Sequence, residues 1–169
     1  SRIIMKSNFN KLKDLITEMN NLNDQINFIK FNNDEGIKFN SVEEMKDFFL
    51  NIENGNIDYL FDDVTEENQT TQREFVESFN HTKNDIYFFI YTYEKNNKYI
   101  TYLSMKHLSD DYIINNLCGK ENKDKELAHD WFEQIKDNIV NTNIDELIET
   151  FIIGAKKTIE NLKIEMQKL

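Results

Sequence analysis

Proline is missing altogether from this chain of 169 residues; glycine occurs four times and cysteine once, as Cys118. A lone cysteine excludes an internal disulfide framework and any cysteine-rich zinc site. Four isolated glycines cannot build the phosphate-cradling GxxxxGK or GxGxxG loops. No Gly-x-Ser-x-Gly nucleophile elbow occurs either. No apolar run approaches the roughly eighteen residues that a membrane-spanning helix needs. Basic side chains are also scarce, with 20 Lys and Arg against 31 Asp and Glu, a net charge of −11. Phosphate neutralisation needs clustered Lys and Arg, so this balance argues against direct nucleic-acid binding. It equally disfavours anionic membrane surfaces.

What remains is ample apolar material. Hydrophobic residues make up 39% of the chain and include 13 Phe, too much for a disordered polymer. A chain of this length buries roughly 70% of its unfolded surface without help from disulfides. It is therefore expected to form a single domain over residues 1–169. Asparagine occurs 24 times, which blurs its value as a turn signal. The expected compartment is the cytoplasm, although the chain opens Ser1-Arg2 with no initiator methionine, which leaves room for a removed leader.

The charge is uneven. Residues 32–85 carry four basic against fourteen acidic side chains, a net of −10. Residues 1–31 carry +2 and residues 86–169 carry −3. Most of the acidic excess thus falls in one third of the chain.

Periodicity predicts a first helix, with Phe9, Leu12, Leu15, Ile16, Met19 and Leu22 at helical spacing. Asn20, Asn21 and Asn23 are expected to end it. Gln25–Phe31 then reads as a short strand, with Ile37–Phe39 returning after the Asn32–Gly36 turn. Ser41 and Glu44 form a capping box for a second helix, Val42 to about Asn54. Residues 56–84 read as an acidic excursion, in which Phe75, Val76 and Phe79 mark a short element packed back on the core.

The strongest signal is a hairpin over about 85–106. Ile86–Tyr93 and Tyr99–Met105 are rich in β-branched and aromatic residues. With Asn96-Asn97 as a two-residue loop, Glu94 pairs with Tyr99, Tyr93 with Ile100, Tyr91 with Tyr102 and Ile90 with Leu103. One face then carries Ile86, Phe88, Ile90, Leu103 and Met105. The other carries Tyr87, Phe89, Tyr91, Tyr93, Ile100 and Tyr102. Beyond the hairpin, Ser109-Asp110-Asp111 is expected to cap a short helix through Leu117. Two longer helices follow, with Leu127, Ala128, Trp131, Phe132, Ile135 and Ile139 on one, and Leu147 to Leu169 on the other. The expected class is α+β: a small antiparallel sheet packed against N- and C-terminal helices.

Candidate chemistry is sparse. The three histidines, His81, His107 and His129, are far apart in sequence. Glu126 and His129 have the Glu-x-x-His spacing of di-iron bundles, but such a site needs a second copy and two further Glu residues. An ordinary solvated helix face explains the pair. Cys118, placed at a helix C-terminus, would have its thiol pKa raised by the helix dipole, contrary to what a nucleophile needs. No catalytic residue, metal ligand or cofactor follows from these patterns, and the reading leans away from an enzyme.

The expected function is non-enzymatic protein binding, as in an immunity or inhibitor protein that neutralises a basic partner through an acidic surface. The candidate contact residues are Asp58, Asp62, Asp63, Glu66, Glu67, Glu74 and Glu77, with Tyr91, Tyr93 and Tyr102 as aromatic anchors. The alternative is a small-molecule sensor or enzyme with a pocket between sheet and helices. The apolar stripe of the last helix also offers a surface for self-association into a homo-oligomer.

Overall fold

Two pairs of turn residues govern the middle of the chain. Asn84 and Asp85 have φ of 51° and 66°, and Asn96 and Asn97 have φ of 54° and 61°. Positive φ at both central positions is what a type I′ hairpin turn requires, and Asn and Asp tolerate it best after glycine. These values come from a computed structural model that describes residues 2–34, 36–53, 74–110 and 113–169. Its elements in order are α1 (Arg2–Asn33), α2 (Val42–Glu53), β1 (Glu74–Lys83), β2 (Ile86–Lys95), β3 (Lys98–His107), β4 (Ile113–Asn122), α3 (Lys125–Asn141) and α4 (Ile144–Gln167). The strands form one antiparallel sheet in the order β1-β2-β3-β4, so the architecture is α+β. The described residues fall into two compact units, one within Ser1–Asp14 and Gln72–Gly154, the other within Leu15–Thr71 and Ala155–Leu169.

The first unit holds the sheet. The β2–β3 register pairs Glu94 with Tyr99, Tyr93 with Ile100, Tyr91 with Tyr102 and Ile90 with Leu103, as the two-residue turn demands. Ile86, Phe88, Ile90, Leu103 and Met105 are fully buried on the inner face. Ile114 and Leu117 of β4 join them, opposite Met105 and Leu103. Helix α3 lies against all four strands and buries Ala128, Phe132, Ile135 and Ile139. Ile144, Leu147, Ile148 and Ile152 of α4, with Phe9 and Leu12 of α1, complete this unit's core. Each of the larger side chains among them contributes about 1.5–3 kcal/mol on leaving water.

One polar pair sits inside this apolar layer. Thr92 and Thr101 face each other across the hairpin, buried, with their hydroxyl oxygens 2.8 Å apart. Each satisfies the other. At the far end of the sheet, the Lys83 ammonium donates to the carbonyls of Val140 (3.2 Å) and Thr142 (2.7 Å). It thereby occupies acceptors that the end of α3 leaves without helical partners.

Three expectations need correction. Helix α1 does not stop at Asn20–Asn23 but runs to Asn33, so Gln25–Phe31 is helical. The three asparagines are exposed, and an exposed Asn costs a helix only about 0.5–0.7 kcal/mol relative to Ala. Meanwhile Ile16, Met19, Leu22, Ile26 and Ile29 continue the covered stripe. Residues 37–39 are not a strand. The side-chain amide of Asn32 takes both backbone groups of Phe39, accepting from its N–H at 2.8 Å and donating to its carbonyl at 3.1 Å. Phe39 is thereby held among Phe31, Phe48 and Phe49, with ring centroids 5.4–6.2 Å away. The capping box does form: the Glu44 N–H donates to Ser41 Oγ at 3.1 Å, and the Glu44 carboxylate accepts from the Asn40 N–H at 2.9 Å.

The third correction is β4. The segment expected as a helix from Ser109 to Leu117 instead contributes a strand from Ile113 to Asn122, with two register irregularities against β3. Without β4, β3 would present an open edge of backbone donors and acceptors. Cys118 therefore lies within a strand, and the helix-dipole argument about its thiol does not apply. Phe75, Val76 and Phe79 belong to a full edge strand, β1. Residues 56–73 of the acidic excursion lie outside the described residues.

The threonine pair yields a test. Thr92→Val alone strands the Thr101 hydroxyl and should lower unfolding free energy by about 1–3 kcal/mol. Adding Thr101→Val should recover most of that loss. Denaturant titration of both variants measures the coupling, and purely additive losses would show that the hydroxyls do not depend on each other.

Candidate functional site

The ten residues expected to contact a partner do not share one described surface. Asp58, Asp62, Asp63, Glu66 and Glu67 lie outside the described residues. Glu74 is the first residue of β1. Tyr91, Tyr93 and Tyr102 stand together on the outer sheet face, with Tyr91 5.1 Å from Tyr93 and 5.7 Å from Tyr102 between centroids. Phe75 and Phe89 extend this aromatic row. Side-chain alternation puts Lys95, Lys98 and Lys106 on the same face, with Glu121 bound to Lys98 at 3.1 Å. The rim of the aromatic face is therefore basic.

Glu77 points the other way. It pairs with Thr92, an inner-face residue, where the hairpin meets the start of α3. Its carboxylate lies 3.0 Å from Nδ1 of His129. The two residues are 52 positions apart in sequence, and only the packing of α3 on β1 brings them together. They line a hollow of about 440 Å³ whose wall also includes Tyr99, Glu126, Ala128 and Asp130. Asp124 opens α3 as its N-cap, accepting from the backbone N–H groups of Glu126 and Leu127. This cap fixes where the first turn sits, and with it where Glu126, His129 and Asp130 project.

Carboxylates outnumber the one lysine, Lys125, in the wall of the hollow, and His129 responds to them. Its pKa is raised above the usual 6.5, first by the hydrogen bond to Glu77, then by that carboxylate's charge, with smaller contributions from Glu133 and Asp130. Glu126, Asp130, Glu133 and Asp137 recur at steps of four, three and four along α3, the spacing of one helical stripe. Three of the four are exposed, and Glu133 is half-buried. That stripe was readable from spacing alone. Its continuation into Glu77 was not, because β1 and α3 meet only in the folded chain.

The Glu-x-x-His pair of α3 lies on an exposed helix face. His129 takes Glu77 as its partner, and Glu126 lies in the same wall. Among the described residues no group of three or more His, Cys, Asp or Glu is arranged to hold a metal ion. No helix among them is long and apolar enough to cross a membrane. A second concavity, about 730 Å³ in volume, lies where the first turns of α1 meet the end of β3, and His107 is in its wall. Comparison with known proteins gives no match: no family model fits the chain, and no curated protein or solved structure resembles it significantly.

The His129–Glu77 pair makes stability depend on pH in one direction. A histidine held protonated by the fold adds stability that is complete below pH 6.5 and fades as pH rises through its higher folded pKa. Glu77→Gln should return the His129 imidazole titration, followed by NMR, towards the ordinary value. An unmoved titration would mean that Glu77 is not the group holding the proton.

Proposed function

We propose that this chain is a protein-binding domain that receives a basic segment of a partner protein, in the manner of an immunity or inhibitor protein. One observation carries this reading: the hollow between β1 and α3, whose wall includes Glu126 and in which Glu77 and Asp130 help to stabilise the proton of His129. A site that favours a proton on imidazole also favours an ammonium or guanidinium, because the same carboxylates attract either charge. The stripe through Glu133 and Asp137 extends this potential along α3, long enough for several basic side chains of one segment. Exposed charges of one sign act mostly on the rate of encounter and on selectivity.

The docking surface includes Glu77 but not the tyrosines. Tyr91, Tyr93 and Tyr102 share their face with Lys95 and Lys106, which would repel the same basic segment. The alternative reading, a small-molecule site between sheet and helices, finds its support in the concavity beside His107.

A lysine decapeptide tests the placement of the surface. Reversing Glu126, Asp130 and Glu133 to Lys should weaken its binding on the order of tenfold or more at low salt, and flatten the salt dependence. The control variant reverses Asp14, Glu43 and Asp47, which are exposed on α1 and α2, and changes net charge equally. It should lose much less. Equal losses in both variants, read by fluorescence anisotropy, would show that binding follows total charge and that α3 is no docking surface.

A further inference from the structure

The concavity beside His107 holds a directed chain of hydrogen bonds. Strand β3 ends at His107, and the following turn is tight: the Asp110 N–H donates to the His107 carbonyl at 2.9 Å, and the Leu108 N–H to the Asp85 carbonyl at 2.8 Å. The turn folds Ser109 back over the imidazole. Its backbone N–H donates to His107 Nδ1 at 3.2 Å, so that nitrogen carries a lone pair and the ring proton is assigned to Nε2. The Lys6 ammonium, which can only donate, lies 2.9 Å from Ser109 Oγ. Ser109 Oγ is in turn 2.8 Å from Nδ1. With Lys6 donating to the oxygen, the hydroxyl proton is directed at the imidazole. The chain therefore runs one way, from Lys6 through Ser109 to His107.

The exposure of the three groups suits chemistry at the oxygen. His107 is 6% exposed, with its ring 5.7 Å from that of Phe9, whereas Lys6 and Ser109 are exposed on the groove. A buried base with a fixed tautomer thus faces an accessible hydroxyl. Holding the turn requires only the backbone bond to Nδ1. Lys6, 103 residues away in sequence, is not needed for that.

We propose that Ser109 is a nucleophile for acyl transfer, with His107 as its general base and Lys6 as the charge beside the reacting oxygen, acting on a small ester seated in the groove against Leu108. The Ser109 Oγ–carbon bond forms as the hydroxyl proton passes to His107 Nδ1, and the carbonyl oxygen becomes an oxyanion near the Lys6 ammonium. Collapse breaks the bond to the leaving alcohol, which takes the proton from Nδ1. Water then attacks the acyl-serine, giving one proton to Nδ1. Release of the carboxylic acid returns that proton to Ser109 Oγ.

The full chain treated with a fluorophosphonate probe decides the matter. Intact mass and peptide mapping should find one adduct, on Ser109, absent from Ser109→Ala. The labelling rate should fall about 100-fold in His107→Gln, the order expected for loss of a general base. In the native chain that rate should rise with pH through a single ionisation that the variant lacks. Because His107 is buried, exposed Lys6→Met provides a second arm and should also slow labelling. No adduct on Ser109, or a rate indifferent to Lys6→Met, would overturn the proposal and leave Ser109 as a turn residue.

Discussion

The β2–β3 hairpin is the constraint from which the rest of the sheet unit follows. Its turn places two asparagines at positive φ, and this sets a register in which every pair is opposite its partner without irregularity. Because side chains alternate, that one register decides which residues enter the core. A slip of a single position would turn Ile86, Phe88, Ile90, Leu103 and Met105 outward and bring Tyr91 and Tyr102 inward. Apolar burial on one face, and the mutual satisfaction of Thr92 and Thr101 there, oppose such a slip.

Helix α3 converts this sheet into a site. Lys83 binds the carbonyls where the helix ends, and Glu77 binds His129 near where it begins. Both residues belong to β1, six positions apart on the same inner-facing row, so one edge strand grips the helix at both ends. The Lys136 ammonium over the Phe79 ring, 4.8 Å from its centroid, adds a third contact between them. The acidic stripe of α3 is then presented beside the sheet rather than on a free-standing helix. The hollow beside His129 is a consequence of this grip.

The two faces of the sheet separate two kinds of surface. Carboxylates and a histidine gather where α3 meets the inner face, and aromatic rings with lysines gather on the outer one. Linear sequence mixes them: Tyr93 is next to Thr92, as strand alternation requires, and Glu77 lies two residues from Phe75 but faces the other way because the β1 register shifts between them. Among the described residues, Glu77 thus stands on one face and Tyr91, Tyr93 and Tyr102 on the other. Likewise Lys6, Ser109 and His107 carry no linear motif, because a helix and a strand end from distant parts of the chain must first come together.

Local chemistry by itself determined the hairpin, its register and its two faces, the Ser41–Glu44 cap and the existence of the two C-terminal helices. In each of these the deciding interactions lie within a few residues or across one short turn. Tertiary structure decided what those signals could not. It chose strand over helix for residues 113–117, where pairing with β3 outweighed a weak local helix signal. It carried α1 through its asparagines to Asn33, because a covered stripe of Ile26 and Ile29 is worth more than the propensity lost at three exposed positions. It alone joined Glu77 to His129 and Lys6 to Ser109, since contacts 52 and 103 positions apart depend on the packing of whole elements.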